Sequence, residues 1–483
     1  MKFLSFNVWM KKDHSSDGHD SNISYYDGSV VRYAKTERIF SEKHHRLWHE
    51  ECDAITKRLW GITRSDVDDC VYVSSGRKTI TDDPGYLAFA KHLYYTDSDG
   101  TKFIDHHCAH AESVALLNEV DASIVIDGRG SLKSWSIYRK DKLVDCGFVD
   151  EAGSIGEGLI SIRRHFNISG HGLDVSGKLM GLQSYGKKDL SLMKELLQYN
   201  MNNIDPVFSY ASDQNLDALH TIHERCGEAI LELFSKHFTP HEKIGYSGGV
   251  AQNVIWNSKL KQAYRNLVIM PYSSDDGLSL GGIEFLRKQY NLSKLTLSGF
   301  PYSQSDEAPK AVCEDLDRVA RALAKGKIVA WYQGNGEIGP RALGHRSILM
   351  DPRIADGRDK INRIKKREFF RPFGASILQE YAKEYFDVDY DNPHMLYVGK
   401  TQKDNLKSIT HVDGTCRFQT VSHGIFYDLL ERFHKLTNCP VLLNTSLNVS
   451  GKPISAYTME AKREFIENDK IDMLVVGDEI YER

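Results

Sequence analysis

His106 and His110 stand four residues apart in the stretch FIDHHCAHAESVALL, residues 103–117. The alanines favour a helix, and on a helix this spacing stacks both imidazoles on one face, where they can close on a single metal ion. His107 would point elsewhere, toward a substrate or a carboxylate. A stable metal site needs more than two histidines, and carboxylate oxygens are the common complement. Asp127, in SIVIDG, and Asp275, in SSDDG, each fall where a strand runs out, at the edge where α/β proteins place ligands. Alone, either aspartate is equally well a turn former beside glycine. The grouping is what makes them candidate ligands. Zinc-peptidase chemistry is set aside, because HHCAH lacks the glutamate that follows the first histidine in HExxH.

A second set of residues suits anions. Ser247-Gly248-Gly249 precedes a helical pattern, so bare amides and a helix N-terminus could cradle a phosphate, with Lys178 in SGKLMG adding a point charge. Tight packing of helix on strand explains the glycine pair about as well. From 339 to 373, Arg341, Arg346, Lys365, Arg367 and Arg371 alternate with glycine and proline turns. Guanidinium forks bind phosphate or carboxylate in pairs, and a small phosphorylated ligand or a triphosphate would engage several. A solvated charge run fits less well, since the glycines, Pro340 and Phe370-Arg371-Pro372-Phe373 interrupt any charged helix. HVDGTCRFQTV (411–421), with Arg417, and LLNTSLNVSGKP (442–453), with Asn444, are polar, turn-prone clusters beside apolar strands. Their amides and hydroxyls could frame a ligand, or form only β-turns.

These residues need a scaffold, and the pattern supplies one. The strand MKFLSFNVW (1–9) is followed by the hairpin ISYYDGSVVRYAKTE, which turns at Asp27-Gly28. The strand SIVIDG (123–128) is followed by the hairpin SWSIYRKDKLVDCGFV, with Lys140-Asp141 at its turn. Strand then hairpin, occurring twice, suits a duplicated, actin-like α/β fold holding a nucleotide or phosphate between its halves. Residues 154–186 read as a glycine-rich loop. KIGYSGGVAQNVIWNSKL (243–260) and LVIMPYSSDDGLSLGGIEFL (267–286) each read strand, turn, helix. The pattern weakens from about 288 to 312, so the chain is expected to divide into 1–300 and 301–483, with a new α/β unit starting near Cys313.

A chain of 483 residues is too long for one ordinary core. Hydrophobic residues at 41% and charged residues at 27% mark a globular chain, not a disordered one. A formal net charge of −4 gives no ground for binding bulk nucleic acid or an anionic membrane. The eight cysteines form no CxxC pair, which argues against a zinc ribbon or a secreted disulfide framework and for reduced thiols in a cytoplasmic protein. No apolar run could span a bilayer, and MKFLSFNVWMKKDH is too short and too polar for a signal peptide.

The motifs HDSNISYYDG, ERIFSEKH, DHHCAHAES, DGRG, GKLMGLQSYG, SGGVAQN, DDGLSLGG, GPRALGHRSIL, KKREFFRPF, HVDGTCRFQTV and NTSLNVSGKPI run nearly end to end. Through them the chain resembles the O-carbamoyltransferases of nodulation factors and antibiotics. The resemblance implies an α/β architecture: a duplicated actin-like (Kae1-like) N-terminal domain, 1–300, and a smaller YrdC-like C-terminal domain, 301–483. It implies that the C-terminal domain uses carbamoyl phosphate and ATP, with Mg2+ on the ATP, to make carbamoyl adenylate and pyrophosphate. A hydroxyl of an acceptor would then attack the carbamoyl carbon in the N-terminal domain, beside a divalent metal that is usually iron(II) in relatives.

Carried over by motif, His106, His110, Asp127 and Asp275 resemble the metal ligands, with Asp275 preferred to its neighbour Asp276. Arg341 and Lys365 resemble catalytic residues of the second domain. Arg346, Arg371, Arg417, Lys178, Gly248, Gly249, Asn253 and Asn444 take the substrate and nucleotide contacts, and His19 would act as general base near the acceptor hydroxyl. Ser131 stands where many relatives have glutamate, Ser450 where some have arginine, and Asn438 where glycine is usual. Two rivals stand beside this reading: transfer to an amine, as in threonylcarbamoyl modification of tRNA, and a nucleotide-binding module without catalysis. The weakly acidic charge speaks against the first. The full set of histidines, aspartates and cations speaks against the second. The acceptor and the oligomeric state are not legible.

Overall fold

The computed structural model of the protein describes residues 1–9, 20–74, 94–96, 100–449 and 451–483, so His19 and Ser450 lie outside the described residues. The chain forms two compact units: Met1–Thr36 with His44–Ser298, and Glu37–Lys43 with Gly299–Arg483. Both mix helices and strands.

Among the described residues the first unit holds two sheets. One comprises β1 (Phe3–Asn7), β2 (Asn22–Tyr26), β3 (Val31–Lys35), β4 (Asp69–Ser74), β5 (Tyr94–Thr96) and β6 (Lys102–Asp105), ordered β3-β2-β1-β4-β6-β5. The other comprises β7 (Ala122–Gly130), β8 (Lys133–Arg139), β9 (Lys142–Phe148), β10 (Ile244–Ser247) and β11 (Val268–Ile269), ordered β11-β10-β7-β8-β9. Each sheet sets an antiparallel meander on one side of its first strand and two parallel strands on the other, and the first sheet adds β5 antiparallel to β6 at that edge. Local chemistry makes the meanders: Asp27 Oδ1 accepts from the amides of Ser29 and Val30, and Lys140 and Asp141 both take positive φ, as a tight hairpin turn demands.

Two helices fill the space between these sheets. His106–Ala115 packs on β7 and β10, Leu278–Gln289 packs on β1, β2 and β4, and the helices pack on each other. Residues 106–114 and 278–286 are all buried, the mark of a helix enclosed on every side. The contact is close because Gly281 has no side chain: a Cβ there would lie 1.9 Å from the carbonyl oxygen of Ala109.

Residues 154–186, expected as a loop, contain the helices Ile155–Ser161 and Gly172–Leu182. Their glycines serve packing, not flexibility. A Cβ on Gly158 would strike the Phe208 ring at 2.0 Å, and one on Gly156 would lie 2.7 Å from Gly128 Cα.

The second unit is built on one eight-stranded mixed sheet: β12 (Val329–Tyr332), β13 (Arg346–Met350), β14 (Gly374–Leu378), β15 (Val398–Lys400), β16 (Thr415–Val421), β17 (Val441–Ser446), β18 (Met473–Val476) and β19 (Glu479–Glu482). The order is β15-β16-β14-β17-β13-β12-β18-β19. The helix Leu316–Ala324 buries Leu316, Val319, Ala320 and Leu323, a 3.6-residue stripe, and packs against the helix Ile425–Thr437. Among the described residues, no helix is long and apolar enough to cross a membrane.

Candidate functional site

In the first unit, β6 runs into the helix His106–Ala115 without a linker, and Asp105 caps it by accepting from the Cys108 amide at 2.9 Å. On the inner face of that helix, His106 Nε2 lies 3.1 Å from Asp127 Oδ2 and 3.5 Å from Asp275 Oδ1. His110 Nε2 lies 3.3 Å from Asp275 Oδ1 and 3.9 Å from Asp127 Oδ2. All four side chains are buried. Asp127 comes from β7, and Asp275 opens the short turn Asp275–Gly277 ahead of the helix Leu278–Gln289. His107 faces away and shares a hydrogen bond with Ser136 Oγ at 2.8 Å.

The Asp127 carboxylate and the Asp275 backbone are each held by neighbours. Asp127 Oδ1 accepts from the Gly249 amide at 2.8 Å, and Asn22 donates to the Asp275 carbonyl at 2.8 Å while accepting from the Ser279 amide. Asp276, one residue on, is paired with Lys35 at 2.6 Å instead of facing the histidines. Burial alone would lower the His106 imidazole, but Asp275 and Asp127 beside it push it up to about 10. Burial would raise Asp127, yet the His106 hydrogen bond and the charges of His110 and His106 hold it well below the usual carboxylate range.

The four residues fit a divalent cation. Donor atoms about 2.1 Å from one ion stand roughly 3.0–3.4 Å apart, depending on coordination angle. The four histidine–aspartate spacings here run from 3.1 to 3.9 Å, and all four donor atoms lie within 4.8 Å of one another. His110 Nε2 is buried with no hydrogen-bond partner among the described residues, which leaves a ring nitrogen to be satisfied by something else. Two imidazole nitrogens with two carboxylate oxygens are a donor set for a first-row divalent ion.

The second unit gathers cations. Arg417, Gly374 and Asn444 are register neighbours across β16, β14 and β17. Asn444 donates to Ser376 Oγ at 2.9 Å, which leaves its buried Oδ1 without a partner among the described residues, as is Arg417 Nε. Gly374 leaves room beside Arg417; a Cβ there would stand 3.4 Å from Arg417 Nε and 3.2 Å from Met395 Sδ. Burial lowers the Arg341 guanidinium well below its usual range, and Arg417, Arg371 and Arg367 add to the effect. Burial likewise brings Arg417 down to about 10, with Arg371 contributing. All four guanidiniums are half-buried, and Arg371 also lies 3.8 Å from Glu368; like charges this close to one another favour an added anion. Lys365, also pushed well down by burial, donates to the carbonyls of Ser446 and Asn448, both at 2.5 Å, so it ties down the loop after β17.

Other expected contacts are employed within the protein. Arg346 is spent on the carbonyls of Gln333, Gly334 and Glu307 and on Asp306 at 3.2 Å, and it lies over the Tyr332 ring. Asn253 caps the helix Val254–Ala263 and meets His223 Nε2 at 2.9 Å. Lys178 donates to the Ser169 carbonyl at 2.7 Å. The Gly248 amide donates to the Ser273 carbonyl at 2.7 Å.

Two residues escaped the sequence reading. Asn22 is the last residue of HDSN, whose density of small polar groups was its only signal. Glu337 accepts from the amides of Leu343, His345 and Arg346 through one carboxylate oxygen and so shapes the loop that carries Arg341. A lone glutamate within a glycine-rich turn was the trace it left.

A family profile described as the carbamoyltransferase C-terminus matches residues 320–483. The nodulation protein NolNO of Sinorhizobium fredii is 28% identical over 93% of this chain and 77% of its own length. The nodulation protein NolO of Bradyrhizobium diazoefficiens is 30% identical over 77% of this chain and 78% of its own length. The 3'-hydroxymethylcephem-O-carbamoyltransferase of Streptomyces clavuligerus is 30% identical over 64% of this chain and 65% of its own length.

Proposed function

The chain belongs to the O-carbamoyltransferase family, and from that premise we propose that it makes carbamoyl adenylate from carbamoyl phosphate and ATP and passes the carbamoyl group to a hydroxyl of a small acceptor. The single observation that carries this is the juxtaposition of Arg417 and Asn444 across Gly374. A carbamoyl group presents a carbonyl oxygen and an amide N–H side by side. A buried donor, Arg417 Nε, and a buried acceptor, Asn444 Oδ1, both without a partner among the described residues, complement it. Arg341, Arg367 and Arg371 meet the phosphate charges.

The chemistry balances in three stages. Water cleaves carbamoyl phosphate to carbamate and phosphate. The carbamate oxygen then attacks the α-phosphorus of ATP, carried with Mg2+, and pyrophosphate leaves. Finally the acceptor oxygen bonds to the carbamoyl carbon, the bond to AMP breaks, and the hydroxyl proton passes to a base. In this reading the first unit hosts the transfer, with His19 as the candidate base. A divalent ion such as iron(II), held by His106, His110, Asp127 and Asp275, would polarise the carbamoyl carbonyl and hold charge on the leaving AMP. The protein's own work there is to bury the donors, fix Asp127 through Gly249 and Asp275 through Asn22, and keep water away.

The like strand order of the two sheets supports reading the first unit as duplicated and actin-like. The second unit is read as the YrdC-like domain. Incubation with labelled carbamoyl phosphate and ATP tests the proposal: pyrophosphate and carbamoyl adenylate are expected, and the absence of both overturns it. A screen of hydroxyl-bearing metabolites for a carbamoyl mass gain then names the acceptor.

A further inference from the structure

We propose that the buried pair Asp105–Lys133 is the positioning device of the histidine site: it locks the helix carrying His106 and His110 to the hairpin carrying Asp127. The inference rests on reading those residues as metal ligands. Because β6 ends at Asp105 and the helix begins at His106, whatever holds the Asp105 carboxylate also sets where both imidazoles stand. One oxygen of that carboxylate accepts from the Cys108 amide at 2.9 Å and from the Tyr138 hydroxyl at 3.4 Å. The other accepts from Lys133 Nζ at 2.9 Å.

Lys133 and Tyr138 belong to β8, which is joined to β7, the strand of Asp127, through a turn in which Ser131 and Leu132 take positive φ. Ser131 in that turn accepts from the His106 amide at 3.2 Å. A Cβ on Gly130 would lie 2.3 Å from the His106 ring, so the hairpin backbone rests directly on the imidazole. The helix start is therefore gripped at two amides and one ring, and every grip except the Asp105 cap comes from the hairpin that supplies Asp127.

Lys133 is 1% exposed and Asp105 is fully buried. Such a pair pays desolvation that well-packed apolar side chains would avoid, so its return is geometric and not energetic. Groups that orient metal-binding side chains typically change metal affinity by about 10–100-fold when replaced.

The test strips the full-length protein of metal with a chelator and titrates it with Co2+, following visible absorption, alongside thermal unfolding. Lys133→Met and Asp105→Asn are expected to weaken Co2+ binding about 10–100-fold, and Lys133→Arg to recover part of the loss. Asp105→Asn is nearly isosteric and decides the matter if Lys133→Met does not fold. Leu219→Ala, in a buried position elsewhere in the unit, reports plain destabilisation. Wild-type Co2+ affinity in both pair variants, or an equal loss in Leu219→Ala, overturns the inference alone. Absence of Co2+ binding by the wild-type protein overturns the metal reading and takes this inference with it.

Discussion

Gly249 donates its backbone amide to Oδ1 of Asp127 at 2.8 Å, which leaves Oδ2 facing His106 at 3.1 Å. The turn that sequence offered to a phosphate thus gives one of its amides to a carboxylate. Its neighbour Gly248 adopts φ 97° and ψ 162°, a conformation close to exclusive to glycine, and a Cβ there would lie 2.1 Å from the Ile126 carbonyl oxygen. Gly248→Ala is expected to cost on the order of 3 kcal/mol, read from denaturant unfolding. A loss below about 0.5 kcal/mol would show that the turn does not need this geometry.

His110→Ala removes one nitrogen of the donor set while leaving the second unit untouched. Transfer to an acceptor should fall to background while pyrophosphate release from ATP and carbamoyl phosphate continues at a similar rate. Equal loss of both activities would contradict the division of labour between the units.

Asn444→Ala and Arg417→Lys remove the acceptor and the donor proposed to read the carbamoyl group. Each should raise the KM for carbamoyl phosphate about 10-fold, the effect of one lost hydrogen bond to a polar ligand, with a much smaller change in the KM for ATP. Initial rates of pyrophosphate release measure both constants. An equal rise in the two would place these residues on the nucleotide and not on the carbamoyl group.

Asp306 is buried against Arg346, and burial pushes its carboxyl up from the ordinary 3.8 to about 6, against the lowering pull of Arg346 and Arg38. The folded state therefore binds this proton more tightly than the unfolded chain. The resulting stability is fully present below about pH 3.8 and is lost as pH rises through about 6. Asp306→Asn should flatten the fall in stability between those limits, measured by denaturant unfolding at several pH values. An unchanged pH profile would mean that Asp306 titrates alike in both states.

Local spacing made part of this protein legible. Four residues on a helix put His106 and His110 on one face whatever surrounds them, and turn chemistry marked the hairpins at Asp27-Gly28 and Lys140-Asp141. Apolar runs marked strands for the same reason. Spacing failed where glycines pack instead of bend, as at Gly156 and Gly158, since a missing side chain looks the same in both uses.

Which side chains meet was decided by the tertiary structure. Asp275 and Asp276 are adjacent and chemically identical; one faces the histidines and the other pairs with Lys35, because the turn into the helix Leu278–Gln289 splits their directions. Arg346 and Arg417 look equally suited to an anion, yet the first gives its terminal nitrogens to Asp306 and four carbonyls while strand register sets the second opposite Gly374, the register neighbour of Asn444. Sequence carries the period of an element, but the partners of a side chain come from register and from chain segments that the fold brings in from elsewhere in the sequence.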